Sequence, residues 1–179
     1  MATVTQTPRI VPTPLITCAV DTERHVSRSG WDQPTRLFAL VRTGDLLAAE
    51  PQLSPRLAEE DPDGLTAIEQ EDLPEAEGLE ELLAQIVWPE EVAGTAISVE
   101  RIVVPPAAES GMPQDPEAAT AYLAAHPDRQ DVRLLVAVER GGEQVTLLRQ
   151  RAHDSDDAVA MGADIAPGLV EALRGTLTD

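Results

Sequence analysis

The sequence predicts an α+β fold, a mostly antiparallel sheet of about four to five strands with helices packed mainly on one face. Three observations predict it. Two apolar runs, DVRLLVAVER from Asp131 to Arg140 and EQVTLLRQRAH from Glu143 to His153, flank Gly141-Gly142 and read as a β-hairpin. Two more runs, RLFALVR from Arg36 to Arg42 and GTAISVERIVV from Gly94 to Val104, have strand composition. Around these four, apolar residues recur at helical spacing.

In chain order, residues 1–12 are polar and proline-spaced and are expected to form a flexible arm ahead of a single α+β domain, 13–179. Thr13-Pro14 is a helix start, a capping hydroxyl followed by proline at the first helical position. Leu15, Ile16, Ala19, Glu23 and Val26 follow at helical intervals, and Gly30 ends the helix. Trp31-Asp32-Gln33-Pro34 is a turn into RLFALVR, whose unbroken apolar stretch suits a strand buried on both faces. Thr43 can cap a short helix that Pro51 stops, and Ser54-Pro55 can open another turn. Asp61-Pro62-Asp63-Gly64 is a loop. LTAIEQ (Leu65–Gln70) is ambiguous, and a short strand is one reading of it. Leu79 to Val87 places Leu79, Leu82, Leu83 and Ile86 on one side of a helix that Trp88-Pro89 terminates.

GTAISVERIVV alternates Ile97, Val99 and Val103 with Ala96, Ile102 and Val104, and Pro105-Pro106 ends it. Ala107 to Pro116 is a connection rich in proline and small residues. Asp115-Pro116 then opens a helix to Ala125. A two-residue Gly-Gly turn in the hairpin would set Arg140 opposite Glu143. Val138 would then face Val145, Val136 face Leu147, Leu134 face Arg149, and Val132 face Arg151. On that register Val136, Val138, Val145 and Leu147 share one dry face, with Arg149 and Arg151 at its open end. Asp154 to Asp157 is a polar loop. Ile165-Ala166-Pro167 leads into a last helix carrying Leu169, Val170, Leu173 and Leu177.

Composition excludes several function classes. Hydrophobic residues make up 42% of the 179, enough for a core, but aromatics are only 2%, so Ala, Val, Leu and Ile must build it. The formal net charge of -19 argues against nucleic acid and anionic membrane surfaces as main partners. No segment approaches the ~18 apolar residues needed to span a bilayer, so no membrane insertion is expected. All 13 basic residues are arginine, and lysine and asparagine are absent, as codon bias in a GC-rich genome would produce. From Glu50 to Glu91 there are fourteen acidic residues and one arginine, which is either a solvated face or a docking surface for a basic partner. The lone Cys18 allows no internal disulfide and sits where a small buried hydrophobe belongs. With no apolar leader at the N-terminus, a cytoplasmic location is expected.

Motifs with built-in chemistry are missing. His25, His126 and His153 lie at no metal-ligand spacing from one another or from Cys18, so no metal is expected. There is no nucleophile elbow, phosphate loop or dinucleotide fingerprint, so no cofactor is expected. The Asp61–Gly64 loop lacks the alternating ligands of a calcium site. The candidate that remains is the open end of the hairpin. Arg149 and Arg151 there, with Trp31, Asp32 and His153 near them, could form a pocket for an anionic group or a partner's carboxylate. Equally, the two arginines could pair with the chain's own carboxylates, such as Asp32 or Asp154.

Five blocks resemble an uncharacterised actinobacterial protein family: Gly30–Val41 (GWDQPTRLFALV), Leu65–Pro74, Leu79–Pro106, His126–Arg140 and Arg151–Leu173. The resemblance covers most of the chain beyond the arm and implies a cytosolic bacterial protein. The family carries no established activity, cofactor or catalytic residue, so none is transferred. Two functions stay open. One is a non-enzymatic, chaperone-like binding or adaptor module that meets a protein partner, or a second copy, through its surface. The other is an enzyme or small-anion sensor built around Arg149, Arg151 and Trp31.

Overall fold

The computed structural model describes residues 12–57, 61–163 and 165–178. The expected arm lies outside them, apart from Pro12. Helix α1 (Pro14–Ser27) is followed by β1 (Arg36–Arg42), α2 (Thr43–Ala49), α3 (Ser54–Leu57), β2 (Leu65–Glu69) and α4 (Leu79–Ala84). Then come β3 (Gly94–Val103), α5 (Pro106–Glu109), α6 (Pro116–Ala125), β4 (Gln130–Glu139), β5 (Gln144–Gln150), β6 (Ala160–Gly162) and α7 (Pro167–Thr176). The strands form one sheet in the order β2-β1-β3-β4-β5-β6, and each neighbouring pair is antiparallel.

Six strands replace the expected four to five. The ambiguous LTAIEQ segment is the edge strand β2, and the opposite edge is β6, only three residues long. So short a run has too few residues to show a period, which is why it does not read as a strand. α4 stops at Ala84 rather than Val87, and α5 lies inside the expected connection after Pro105.

Helices cover both faces of the sheet, not mainly one. Under α1, Leu15, Cys18, Ala19 and Val26 pack with Phe38, Leu40, Leu135, Ala137, Val145 and Leu147. On the other face Val170, Leu173 and Leu177 of the α7 segment and Leu83 of α4 pack with Leu37, Ala39, Ile97, Val99, Leu134, Val136 and Val138. Alternation along β4 explains the division: odd-numbered residues meet α1 and even-numbered ones meet α7. Both sets are apolar, so the unbroken apolar runs of β1 and β4 call for helices on both faces, which cover mainly on one face does not supply.

The hairpin register also differs from the expected one. Val138 is opposite Gln144, Ala137 opposite Val145, Leu135 opposite Leu147 and Arg133 opposite Arg149. The loop has three residues, not two. The amide of Gly142 donates to the Glu139 carbonyl at 2.9 Å, and the Glu139 amide donates to Glu143 at 2.9 Å. Gly142 has φ +98°, whereas Gly141 is not in the left-handed region. This is a type I turn followed by a glycine bulge. One added loop residue moves the partner sum by one and exchanges the faces of β5 relative to β4. Val136 and Val138 are therefore buried on one side of the sheet, and Val145 and Leu147 on the other. The four do not share a face.

Arg140, at the tip, fixes the hairpin to the rest of the fold. Its guanidinium donates to the carbonyls of Val92 (2.7 Å), Leu177 (2.5 Å), Trp88 (3.1 Å) and Pro89 (2.9 Å). Leu177 caps α7, so the cation also meets the negative end of that helix. Among the described residues no helix is long and apolar enough to cross a membrane.

Candidate functional site

The corrected register decides where the arginines go. Arg133 and Arg149 are cross-strand partners and point to the α1 face, while Arg151 falls beyond β5 in a single 3₁₀ turn, Arg151–His153. Arg149 is therefore deep under α1 and 2% exposed, and Arg151 is exposed. They do not form a side-by-side pair on one strand face.

Burying Arg149 requires acceptors, because a guanidinium removed from water without them would cost several kcal/mol. The helix supplies the main one. Glu23 lies on the buried stripe of α1, eight residues after Leu15, and is itself 2% exposed. The Arg149 Nε donates to Glu23 Oε2 at 2.9 Å and Nη2 donates to Oε1 at 2.5 Å, a two-pronged pairing that suits the planar fork. The segment after β5 supplies two more carboxylates. Nη1 donates to Asp154 Oδ1 at 3.0 Å, and Nη2 donates to Asp156 Oδ1 at 2.6 Å. Hydrogen bonding to Glu23 is the main reason that the Arg149 proton is held even more tightly than usual. Asp154 is pulled below the ordinary carboxylate range first by the Trp31 indole N–H, which donates to it at 3.0 Å, and then by Arg149. Asp156 is lowered by its hydrogen bond from Arg149.

Beside this cluster sits Trp31. The Arg133 guanidinium lies 4.3 Å from its ring centroid and that of Arg151 lies 5.7 Å away, both cation–π distances. Arg133 is 2% exposed; its Nη2 donates to the Gly30 carbonyl and lies 3.5 Å from Glu100 Oε2. Glu100 of β3 also accepts from the amides of Asp32 (2.8 Å) and Gln33 (2.9 Å), so the sheet itself fixes the Gly30–Gln33 turn. Asp32 has φ 65°, a left-handed conformation that a short polar side chain tolerates. Its carboxylate accepts two hydrogen bonds from Arg151, at 2.9 and 3.1 Å, and its pKa is lowered by them.

The structure thus brings Trp31, Asp32, Arg149 and Arg151 into one network with Asp154, but as internal ion pairs. His153 is exposed and lines a different feature, an open surface pocket of about 320 Å³ with Arg129, Asp131 and Arg151. Sequence reasoning missed Glu23 and Arg133. Each had a signal: a carboxylate inside an apolar helical stripe and an arginine inside an apolar strand. Neither signal says which partner the fold will provide. Among the described residues no three of His, Cys, Asp and Glu converge as metal ligands.

No curated protein and no solved structure matches the chain. The sequence model of the PPA1309-like protein family matches residues 15–178 of the 179, and the protein belongs to that family.

Proposed function

We propose that the protein is a non-enzymatic binding module, adaptor- or chaperone-like, that works in the cytoplasm through a protein surface. The observation that carries this reading is the state of Arg149. The positions an anionic ligand would need around its guanidinium are taken by Glu23, Asp154 and Asp156. A cation so neutralised supports the fold, which leaves recognition to the exposed acidic surface. The competing reading, an enzyme or small-anion sensor, draws its support from the open pocket where Arg129, Arg151 and His153 lie together.

Thermal unfolding in increasing inorganic phosphate, sulfate or citrate tests the choice. Ligand at a hundred times its Kd stabilises by about 2.7 kcal/mol, a shift of several degrees for a domain of this size. The binding-module reading expects no saturable rise in Tm beyond that of an equal ionic strength of chloride. A saturable rise abolished by Arg151→Ala would overturn it in favour of the anion sensor.

A further inference from the structure

On the sheet face that carries α7, a groove runs between the turn after β2 and the exit of α4. Its apolar wall is made by Leu37, Leu73, Ile86, Val87 and Trp88, and Glu71 and Asp72 stand on its rim. Val87 is 72% exposed, well above the other exposed large apolar side chains among the described residues. The Trp88 indole nitrogen is buried and has no hydrogen-bond partner there. Such a donor is costly to leave unmet. No basic residue lines the groove. Among the described residues the eight carboxylates from Glu71 to Glu91 make no ion pair. An unpaired acidic rim around an exposed aliphatic residue is complementary to a segment with the reverse arrangement.

We infer that this groove docks a basic segment of a partner protein, in which an aliphatic side chain packs on Val87 and Trp88 and flanking arginines or lysines face Glu71 and Asp72. The inference rests on the binding-module reading and names the surface and the partner chemistry. Arg140 supports the site from behind, since it holds the carbonyls of Trp88 and Pro89. Charge brings the segment in, and the apolar contact decides whether it stays.

The probe is a twelve-residue amidated peptide alternating arginine and leucine, with a control in which every leucine is serine. Binding is followed by the two tryptophan indole resonances in ¹⁵N NMR. The expected result is a saturable shift of the Trp88 indole. Affinity should be at least tenfold weaker for the serine control, and several-fold weaker for Val87→Ser, an exposed change that leaves the fold intact. Equal affinity for both peptides would overturn the docking site, because net charge alone would explain it. Saturable binding that moves other residues while Trp88 stays fixed would overturn the groove but leave the binding-module reading standing. A concentration-dependent dimer in sedimentation, lost in Val87→Ser, would replace the partner segment with a second copy of the chain. If the peptide fails to bind and phosphate raises Tm through Arg151, both readings fall together.

Discussion

Arg149 is one residue with two opposite interpretations, and burial separates them. An exposed arginine next to apolar residues invites a ligand, whereas one 2% exposed against Glu23 has its ligand already. A buried ion pair adds little net stability, because desolvation of both groups offsets their attraction, but breaking it leaves an uncompensated charge. Arg149→Ala is therefore expected to lower unfolding free energy by about 3–5 kcal/mol in urea titration. A residue kept for an external anion would give unchanged or higher stability. The aspartates add a pH dependence. Asp154 and Asp156 have folded pKa values below the ordinary 3.8, so their contribution is present above that value and is lost as pH falls through the lower folded values. Tm of the wild type should drop more steeply below about pH 3.8 than that of Asp156→Asn. Glu139 carries the opposite sign. Burial and the nearby Glu143 raise its pKa above 4.5, so stability declines as pH rises between that value and the raised one. Glu139→Gln should unfold at a higher temperature than wild type at pH 7, and a lower Tm would show that Arg42 outweighs Glu143.

At the level of elements, strand composition was legible and strand register was not. The runs 131–140 and 143–153 show by composition where strands lie, and Gly141-Gly142 shows where they turn. The same two glycines serve a two-residue or a three-residue loop, and the choice depends on whether Gly141 takes positive φ, which no sequence pattern records. It does not. The consequence reached the candidate site, since the one-residue difference carried Arg149 from the α7 face to the α1 face. Gly142 at φ +98° is expected to resist replacement, with Gly142→Ala costing about 1–2 kcal/mol and Gly141→Ala much less. Reversed costs in denaturant titrations would restore the two-residue turn. Arg140 is the second device of this element. Its four carbonyl acceptors lie on the Trp88 loop, the β3 approach and the end of α7. Arg140→Ala should cost about 2–3 kcal/mol, more than a surface arginine otherwise would.

For the molecule as a whole, the sheet is a layer between two sets of helices. Its middle strands have apolar residues on both faces, so neither cover is dispensable. Deleting residues 167–179 would uncover Val136, Val138 and Ile97 and should abolish cooperative unfolding in near-UV and far-UV circular dichroism. The α+β class was legible because four apolar runs and the helical spacings agree. The second helical layer was signalled by the unbroken apolar runs of β1 and β4, but nothing in those runs says which helices cover which face. The candidate site followed the same limit: residue types showed that arginines would need acceptors, and only the packing of α1 across β4 and β5 assigned Glu23 to the task. The account therefore turns on the buried contact between α1 and β5, and a double-mutant cycle measures it directly. With Glu23→Gln, Arg149→Met and the pair combined, urea unfolding should show the double variant losing at least about 2 kcal/mol less than the sum of the singles. Additive losses would mean that Glu23 and Arg149 do not hold each other, and that the cation remains available to an outside anion.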